Sequence, residues 1–194
     1  MAKNNVYIAG LAALLLISAG CAANEQEAAA DRTPYAGYEE REIAALSLEK
    51  TGDLLGGKGA GYALAAEVNG YPGPRHALDM EKELELTAEQ KEGTERLFAG
   101  MKQEAVELGE KIVDLERELD HAFKSGEATD EQLQRLTDEI AKTEGRLRYT
   151  HLTTHLEMKK LLTAEQVERY NELRGYTGEH GASGGGHDQK HGGY

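Results

Sequence analysis

The sequence predicts an all-α protein: a long antiparallel helical hairpin with short flanking helices, a disordered N-terminal tether and a disordered C-terminal tail. Of the 194 residues, 29% are charged, two are Phe and none is Trp. Such a composition, rich in Leu, Ala, Glu and Lys, favours long helices over a β-sandwich. Apolar residues recur at spacings of three and four along two long segments, which is the period of an amphipathic helix. The length fits one small domain plus tails.

The charge balance is acidic and excludes one class of partner. There are 22 Lys and Arg against 35 Asp and Glu, which gives a formal net charge of −13. Because phosphate backbones are bound through an excess of Lys and Arg, we expect no nucleic-acid binding. Basic partners or metal cations fit the electrostatic field of this chain better.

The N-terminus has the pattern of an export signal. Residues 1–5 are a short polar start, and residues 6–17 form an apolar run that ends in small residues. A bilayer-spanning helix needs about 20 apolar residues, so this run is too short to be one. Residues 1–20 are therefore predicted to be a lipoprotein signal peptide, which places the mature chain outside the cytoplasm.

The cleavage region indicates how the chain is anchored. The segment Ser18-Ala19-Gly20-Cys21 resembles a bacterial lipobox, with Ser18 where Leu is usual. Cys21 is therefore the predicted lipidation site, and Ala22 after it resembles the outer-membrane sorting pattern. We expect an exported protein that is lipid-anchored to the outer membrane and faces the periplasm. The alternative is a secreted protein in which Cys21 keeps a free thiol.

Two segments precede the main helical region. Residues 21–40 are rich in Ala and Glu, and we interpret them as the lipidated Cys followed by a flexible tether. Residues 41–74 read as a short helical, Gly-rich module with helices near 47–55 and 62–68. The glycine cluster at 56–61 is interpreted as a flexible turn between them.

The glycine cluster also matches part of a phosphate-binding loop. Gly52, Gly57 and Lys58 fit the pattern G-x-x-x-x-G-K, but Gly59 stands where Ser or Thr would hold Mg²⁺. No buried strand precedes the motif, so we expect no nucleotide cofactor.

Three Thr-x-x-Gln segments mark predicted helix starts. In such a capping box the Thr hydroxyl accepts a hydrogen bond from the backbone N–H of the Gln, and the Gln side chain accepts one from the backbone N–H of the Thr. The pairs are Thr87 with Gln90, Thr129 with Gln132, and Thr163 with Gln166.

The apolar pattern predicts two helices of about 35 residues that pack as a hairpin around a turn at Gly126. Short flanking helices are expected at 76–84 and 164–173. One thin hairpin buries little apolar surface, so a homodimer is expected. The predicted facing pairs are Leu119 with Leu133, Ile112 with Ile140, and Ala105 with Leu147, and Met101 is expected opposite His151 and Leu152.

The two segments Leu-Thr-Ala-Glu-Gln at 86–90 and 162–166 are copies of an LTxxQ motif. In this the chain resembles the Spy/CpxP family of periplasmic stress proteins and the related heavy-metal-resistance group of CnrX- and ZraP-like sensors, over about residues 74–176. The resemblance implies that residues 75–176 form an all-helical, often dimeric hairpin domain. One branch of this group acts as an ATP-independent chaperone or modulates an envelope-stress kinase, and the other binds metal ions.

His151 and His155 are the strongest candidates for metal ligands. They lie four apart on one predicted helix, so their imidazoles share a face and can bind one transition metal through neutral nitrogens. Met158 follows one turn later, and His76 begins a short helix that the fold could return to the same end. Together they predict a site for Zn²⁺, Ni²⁺, Co²⁺ or copper, completed by an acid. The candidate acids are Asp79, Glu81 and Glu157.

Other interpretations of these residues stay open. A pair of histidines four apart is often partly exposed surface, and Met158 fits a packing role as well as a ligand role. The Gly- and His-rich tail at 177–194 carries the three further candidates for weak cation capture, or it is only a solubilising segment. Those candidates are His180, His187 and His191.

The chaperone branch is the alternative function. It would hold unfolded envelope proteins or contact a sensor kinase or an anti-sigma partner, but residues 75–174 carry 16 Lys and Arg against 24 Asp and Glu, a balance of −8. Chaperones of this family are thought to use a basic concave face, from which this hairpin departs. No enzyme is expected, since the histidines lack a Ser or Cys nucleophile at a recognisable spacing.

Overall fold

The structure, a computed structural model, describes residues 33–176. The predicted signal peptide, Cys21 and the tail histidines His180, His187 and His191 lie outside the described residues. The described chain falls into two units, residues 33–39 and residues 40–176. In the first unit the rings of Tyr35 and Tyr38 meet edge to face at 5.9 Å, and a 3₁₀ turn, Tyr38–Glu40, lies at the boundary.

The second unit is all-helical, as predicted, and residues 33–176 contain no strand. Its centre is a hairpin of two long helices that pack against each other along their length. The six α-helices are α1 (Leu48–Leu55), α2 (Leu64–Glu67), α3 (Pro74–Asp79), α4 (Ala88–Ser125), α5 (Asp130–Leu161) and α6 (Ala164–Leu173).

Caps at both ends define the hairpin arms. α4 begins at Thr87 with both hydrogen bonds of a capping box, and it ends at Gly126, which adopts the left-handed conformation with φ of 74°. α6 begins with a second complete box at Thr163. The third box is only half formed: the Thr129 side chain accepts from the Gln132 backbone N–H, but no bond from the Thr129 backbone N–H to the Gln132 side chain is present among the described hydrogen bonds.

Ion pairs between the arms agree with the predicted register. Arg135 pairs with Glu118 near the turn, and Arg146 pairs with Glu104 at 2.8 Å farther along. These pairs place Ala105 opposite Leu147, and both residues are fully buried in one apolar cluster. The arms are therefore antiparallel and in the register that the apolar spacing indicated.

Residues 41–74, called the module from here on, complete the core of the hairpin. The cluster around Ala105 and Leu147 also includes Ile43, Leu46, Leu54 and Tyr62 of the module, together with Ile112 and Val113 of α4. The module therefore covers one face of the hairpin that the sequence interpretation had left open. This contact supplies apolar burial that two helices alone would lack.

Two glycines allow the module to approach α4 closely. A Cβ added at Gly109 would lie 2.1 Å from the Leu54 carbonyl oxygen. Gly57, at φ of 61°, would place a Cβ 3.0 Å from the Lys102 carbonyl oxygen. The glycine cluster thus forms the turn between α1 and α2, as expected, and Gly57 packs it against α4.

The short helices differ most from the predictions. The helix expected at 76–84 is α3, which starts at Pro74 and ends at Asp79, and residues 81–85 form turns. Pro is favoured in the first helical turn because its missing N–H is not needed there. The helix expected at 62–68 is shortened to α2.

A second apolar cluster closes the open end of the hairpin. Ala77, Leu84, Met158, Leu162 and Tyr170 are buried there, so α3, α5 and α6 meet around them. Within residues 33–176, no helix combines the length and the apolar character needed to cross a bilayer.

Candidate functional site

A cavity of about 610 Å³ lies near the open end of the hairpin. Its walls come from the module, the start of α3, both arms and the chain after α6. The side chains that matter below are Glu67, His76, Phe98, Met101, Lys102, His151, His155, Arg174 and Tyr176. The predicted ligands His76, His151 and His155 therefore share one cavity.

His151 and His155 are the buried imidazoles of this cavity, at 2% and 7% exposure. His155 Nδ1 lies 2.7 Å from the Tyr71 carbonyl oxygen. Because a carbonyl oxygen only accepts, Nδ1 is the donor of this bond, and in the neutral imidazole the lone pair is then on Nε2. His151 Nε2 is buried without a hydrogen-bond partner among the described residues, and its ring stacks on Tyr62 at 6.2 Å.

Burial keeps His151 neutral. Loss of hydration, with a smaller contribution from the nearby His155, holds the pKa of His151 below its ordinary value of 6.5. A neutral imidazole is the form that binds metal ions. The alternative that this pair is partly exposed surface is therefore wrong, because the module encloses the face of α5 that carries it.

Gly73 leaves the space that the His155 ring occupies. A Cβ added there would lie 3.0 Å from His155 Cε1 and 3.2 Å from Glu67 Oε2. The absence of a side chain at this position lets the imidazole and the carboxylate approach the backbone at the same place.

Glu67 is the central acceptor of the site, and sequence reasoning missed it. Its Oε1 accepts hydrogen bonds from the Tyr170 hydroxyl at 2.6 Å and from the Tyr176 hydroxyl at 3.2 Å. Arg174 Nε donates to the same oxygen at 3.2 Å. The carboxylate is buried, so these donors replace its hydration.

Tyr170 ties the last helix to the module. Its hydroxyl donates to Glu67 and accepts from the Gly73 backbone N–H at 3.1 Å. Burial, and then the hydrogen bond to Glu67, raise the pKa of Tyr170 above its ordinary value of 10.0. The phenol therefore stays protonated and keeps donating at physiological pH.

The histidines contact Glu67 to different degrees. His76 Nδ1 lies 3.3 Å from Glu67 Oε1, and His155 Nδ1 lies 3.7 Å from Glu67 Oε2. Within residues 33–176, however, no three His, Cys, Asp or Glu side chains form a group that could hold a metal ion. The three histidines thus line one cavity without forming a ready three-ligand site.

Met158 lies apart from the cavity lining. It is fully buried in the apolar cluster with Ala77, Leu84 and Tyr170, which fits the packing role that sequence reasoning kept open for it.

One signal in the sequence could have pointed to the missed residues. The chain has nine Tyr but only two Phe and no Trp. Tyr is preferred over Phe where a buried ring must reach a polar partner. Glu67 itself is one acid among many in a short segment without helical periodicity, so nothing in the sequence distinguishes it.

No protein-family model matches this chain, and neither a curated protein nor a solved structure matches it significantly.

Proposed function

We propose that this protein binds a divalent transition metal ion in the cavity through His151 and His155, in a metal-sensing or metal-resistance role in the bacterial envelope. The observation that carries the proposal is the unpartnered Nε2 of His151, which is buried one helical turn from a second imidazole, His155, whose Nδ1 is bound to the Tyr71 carbonyl oxygen. A buried polar atom without a partner is costly. A bound cation would satisfy it.

The donor set fits Zn²⁺, Ni²⁺, Co²⁺ or Cu²⁺. Imidazole nitrogens suit these ions, and a ligating histidine typically donates its other N–H to a carbonyl or carboxylate. The hydrogen bond from His155 to Tyr71 has this form. His76, whose Nδ1 faces Glu67, is the candidate for a third ligand through Nε2, and the ion would supply a positive charge inside the cavity.

The cellular setting belongs to the same proposal. Lipidation at Cys21 would hold the chain at the outer membrane, and the LTxxQ segments resemble those of envelope metal sensors. In this setting the tail histidines, His180, His187 and His191, would form a weaker site of their own.

Calorimetric titration of the full chain with each of the four ions tests the proposal. We expect dissociation constants in the micromolar range or tighter, with His151→Ala and His155→Ala each weakening binding at least about tenfold. His121→Ala, an exposed histidine on α4, is the matched control and should bind like the parent. If only the combined substitution of the three tail histidines removes binding, the cavity site is refuted.

Holding of unfolded envelope proteins is the second candidate. Tyr149 and Leu156, seven residues apart on α5, are 56% and 47% exposed, and apolar surface of this kind can contact unfolded chains. Suppression of the aggregation of an unfolded client is the assay. Suppression that is independent of metal and lost in a Tyr149→Ser, Leu156→Ser double variant would favour this function over the first.

A homodimer stays part of the proposal, as expected from the hairpin and from the resemblance. Sedimentation velocity of the full chain over a range of concentrations measures it. A single monomeric species at every concentration would refute it.

A further inference from the structure

We propose that the same cavity also binds a small organic anion, a carboxylate carried on an apolar or aromatic body. Binding of such an anion is separate from metal binding and does not require it. It follows from the size, the charge and the wall chemistry of the cavity.

The size of the cavity fits an organic molecule. Small-molecule pockets typically measure about 300–1,000 Å³, and this cavity measures about 610 Å³. One metal ion between His151 and His155 would fill only a small part of that volume.

The lining is positive although the chain is acidic. Four cationic side chains, Lys58, Arg75, Lys102 and Arg174, line the cavity with one carboxylate, Glu67, which is an excess of three positive side chains in a chain of net charge −13. Clefts that carry one sign of charge concentrate ligands of the opposite sign.

Lys102 is the cation that remains available. Arg174 donates to Glu67, Arg75 pairs with Asp79 at 3.1 Å, and Lys58 pairs with Asp53 at 2.8 Å. Among residues 33–176, Lys102 makes neither an ion pair nor a side-chain hydrogen bond. One unpaired ammonium group suits a monoanionic carboxylate better than a phosphate dianion, which attracts several cations.

Backbone donors lie along the same rim. The N–H groups of Gly59, Ala60 and Gly61 donate to no acceptor within the described part of the chain, and all three residues line the cavity. All three residues are exposed, so these neutral donors are open to an acceptor from outside the chain.

The remaining wall is apolar and aromatic. Phe98 and Met101 project from α4, Leu64 from the module, and Tyr176 from the chain after α6. The guanidinium of Arg75 lies 5.9 Å from the centroid of the Phe98 ring. An apolar wall beside cationic groups is the arrangement that recognises an aromatic or aliphatic acid.

Three probes of matched shape test the inference: naphthoate, naphthalenemethanol and naphthylmethylamine. Each is titrated into the full chain after metal has been removed with a chelating resin, and binding is followed by calorimetry. We expect naphthoate to bind about tenfold more tightly than the alcohol, with the amine weakest, because only the acid gains from Lys102. Equal affinity for all three probes, or tightest binding of the amine, would overturn the inference.

Two variants locate the binding. Lys102→Glu should remove the preference for naphthoate, whereas Lys142→Glu, the same charge change on an exposed residue of α5 outside the cavity, should keep it. Met101→Trp, which adds volume at the wall, should weaken all three probes. Equal effects of the two lysine variants would refute the site. Since no metal is present, failure of the metal proposal leaves these outcomes unchanged.

Discussion

The side-chain amides of Gln90 and Gln166 hydrogen-bond each other in both directions, at 2.7 and 3.0 Å. Each amide also donates to a carbonyl across the fold, Gln90 to Leu161 and Gln166 to Leu84, both at 3.0 Å. Each Gln oxygen additionally accepts from the backbone of its own capping Thr. These hydrogen bonds therefore join the two LTxxQ segments to each other, in addition to the cap that each segment forms on its own helix.

The hydrogen bonds between Gln90 and Gln166 predict a large difference in unfolding free energy between two similar Gln→Glu substitutions. Gln166→Glu removes both donors, leaving the Leu84 carbonyl and the Gln90 oxygen with one bond fewer each, and should reduce the free energy of unfolding by about 1–3 kcal/mol. Gln132→Glu, in the box whose return bond is not formed, should change it by less than about 0.5 kcal/mol. Urea unfolding of the full chain measures both. Equal losses would show that Gln166 acts only as a cap.

The contact between the module and α4 predicts opposite effects at two helical glycines. Gly109→Ala forces a Cβ against the Leu54 carbonyl oxygen and should destabilise the fold by about 1–3 kcal/mol, since backbone must move to accommodate it. Gly100→Ala meets nothing within 4 Å and should stabilise α4 by about 0.5–1 kcal/mol. Thermal unfolding compares the two. Stabilisation by both changes would mean that the module does not pack at Gly109.

The buried imidazole of His151 predicts a dependence of stability on pH. Its pKa lies below 6.5 in the folded state, so below about pH 6.5 the unfolded chain binds a proton that the folded chain resists. The stability contributed by neutral His151 is complete above pH 6.5 and is lost as the pH falls. His151→Gln should flatten the fall in unfolding free energy between about pH 7.5 and pH 5.5.

His121→Gln serves as the control for this measurement, because His121 is exposed. It should keep the pH dependence of the parent, and both proteins are measured after metal removal. A His151→Gln profile that overlays that of His121→Gln would contradict the assignment.

Neutralising the buried carboxylate of Glu67 should lower the free energy of unfolding. Glu67→Gln leaves Arg174 without its counter-charge and places an N–H₂ group among the donors from Tyr170 and Tyr176, so it should cost about 1–3 kcal/mol. Glu172→Gln removes an exposed carboxylate that pairs with Arg169 and should cost less than about 1 kcal/mol. Urea unfolding at neutral pH distinguishes them, and equal costs would remove Glu67 from its central role.

The hairpin could be predicted from the sequence because its determinants are local. Thr87 and Thr163 begin helices through bonds to residues three positions away, and Gly126 ends α4 through its own backbone conformation. The register followed from apolar spacing, since a different register would expose Ala105 and Leu147.

The position of the module on the hairpin could not be predicted from such local patterns. Its docking depends on the fit of Leu54 against Gly109, a contact between residues 55 positions apart that no periodic pattern reveals. The histidine pair was recognised from its spacing, but its burial depends on the module, and Glu67 gains its role only from donors that arrive with α6.

The hydrogen bond between Glu67 and Tyr170 joins residues 103 positions apart. The same hydroxyl accepts a hydrogen bond from the Gly73 backbone N–H. A chain synthesised from its amino end exposes Glu67 long before Tyr170 follows. The carboxylate must remain hydrated until the last helix emerges and supplies its donors. The cavity is consequently among the last parts of the molecule to be assembled, and a chain that stops short of α6 would lack the wall formed by Arg174 and Tyr176.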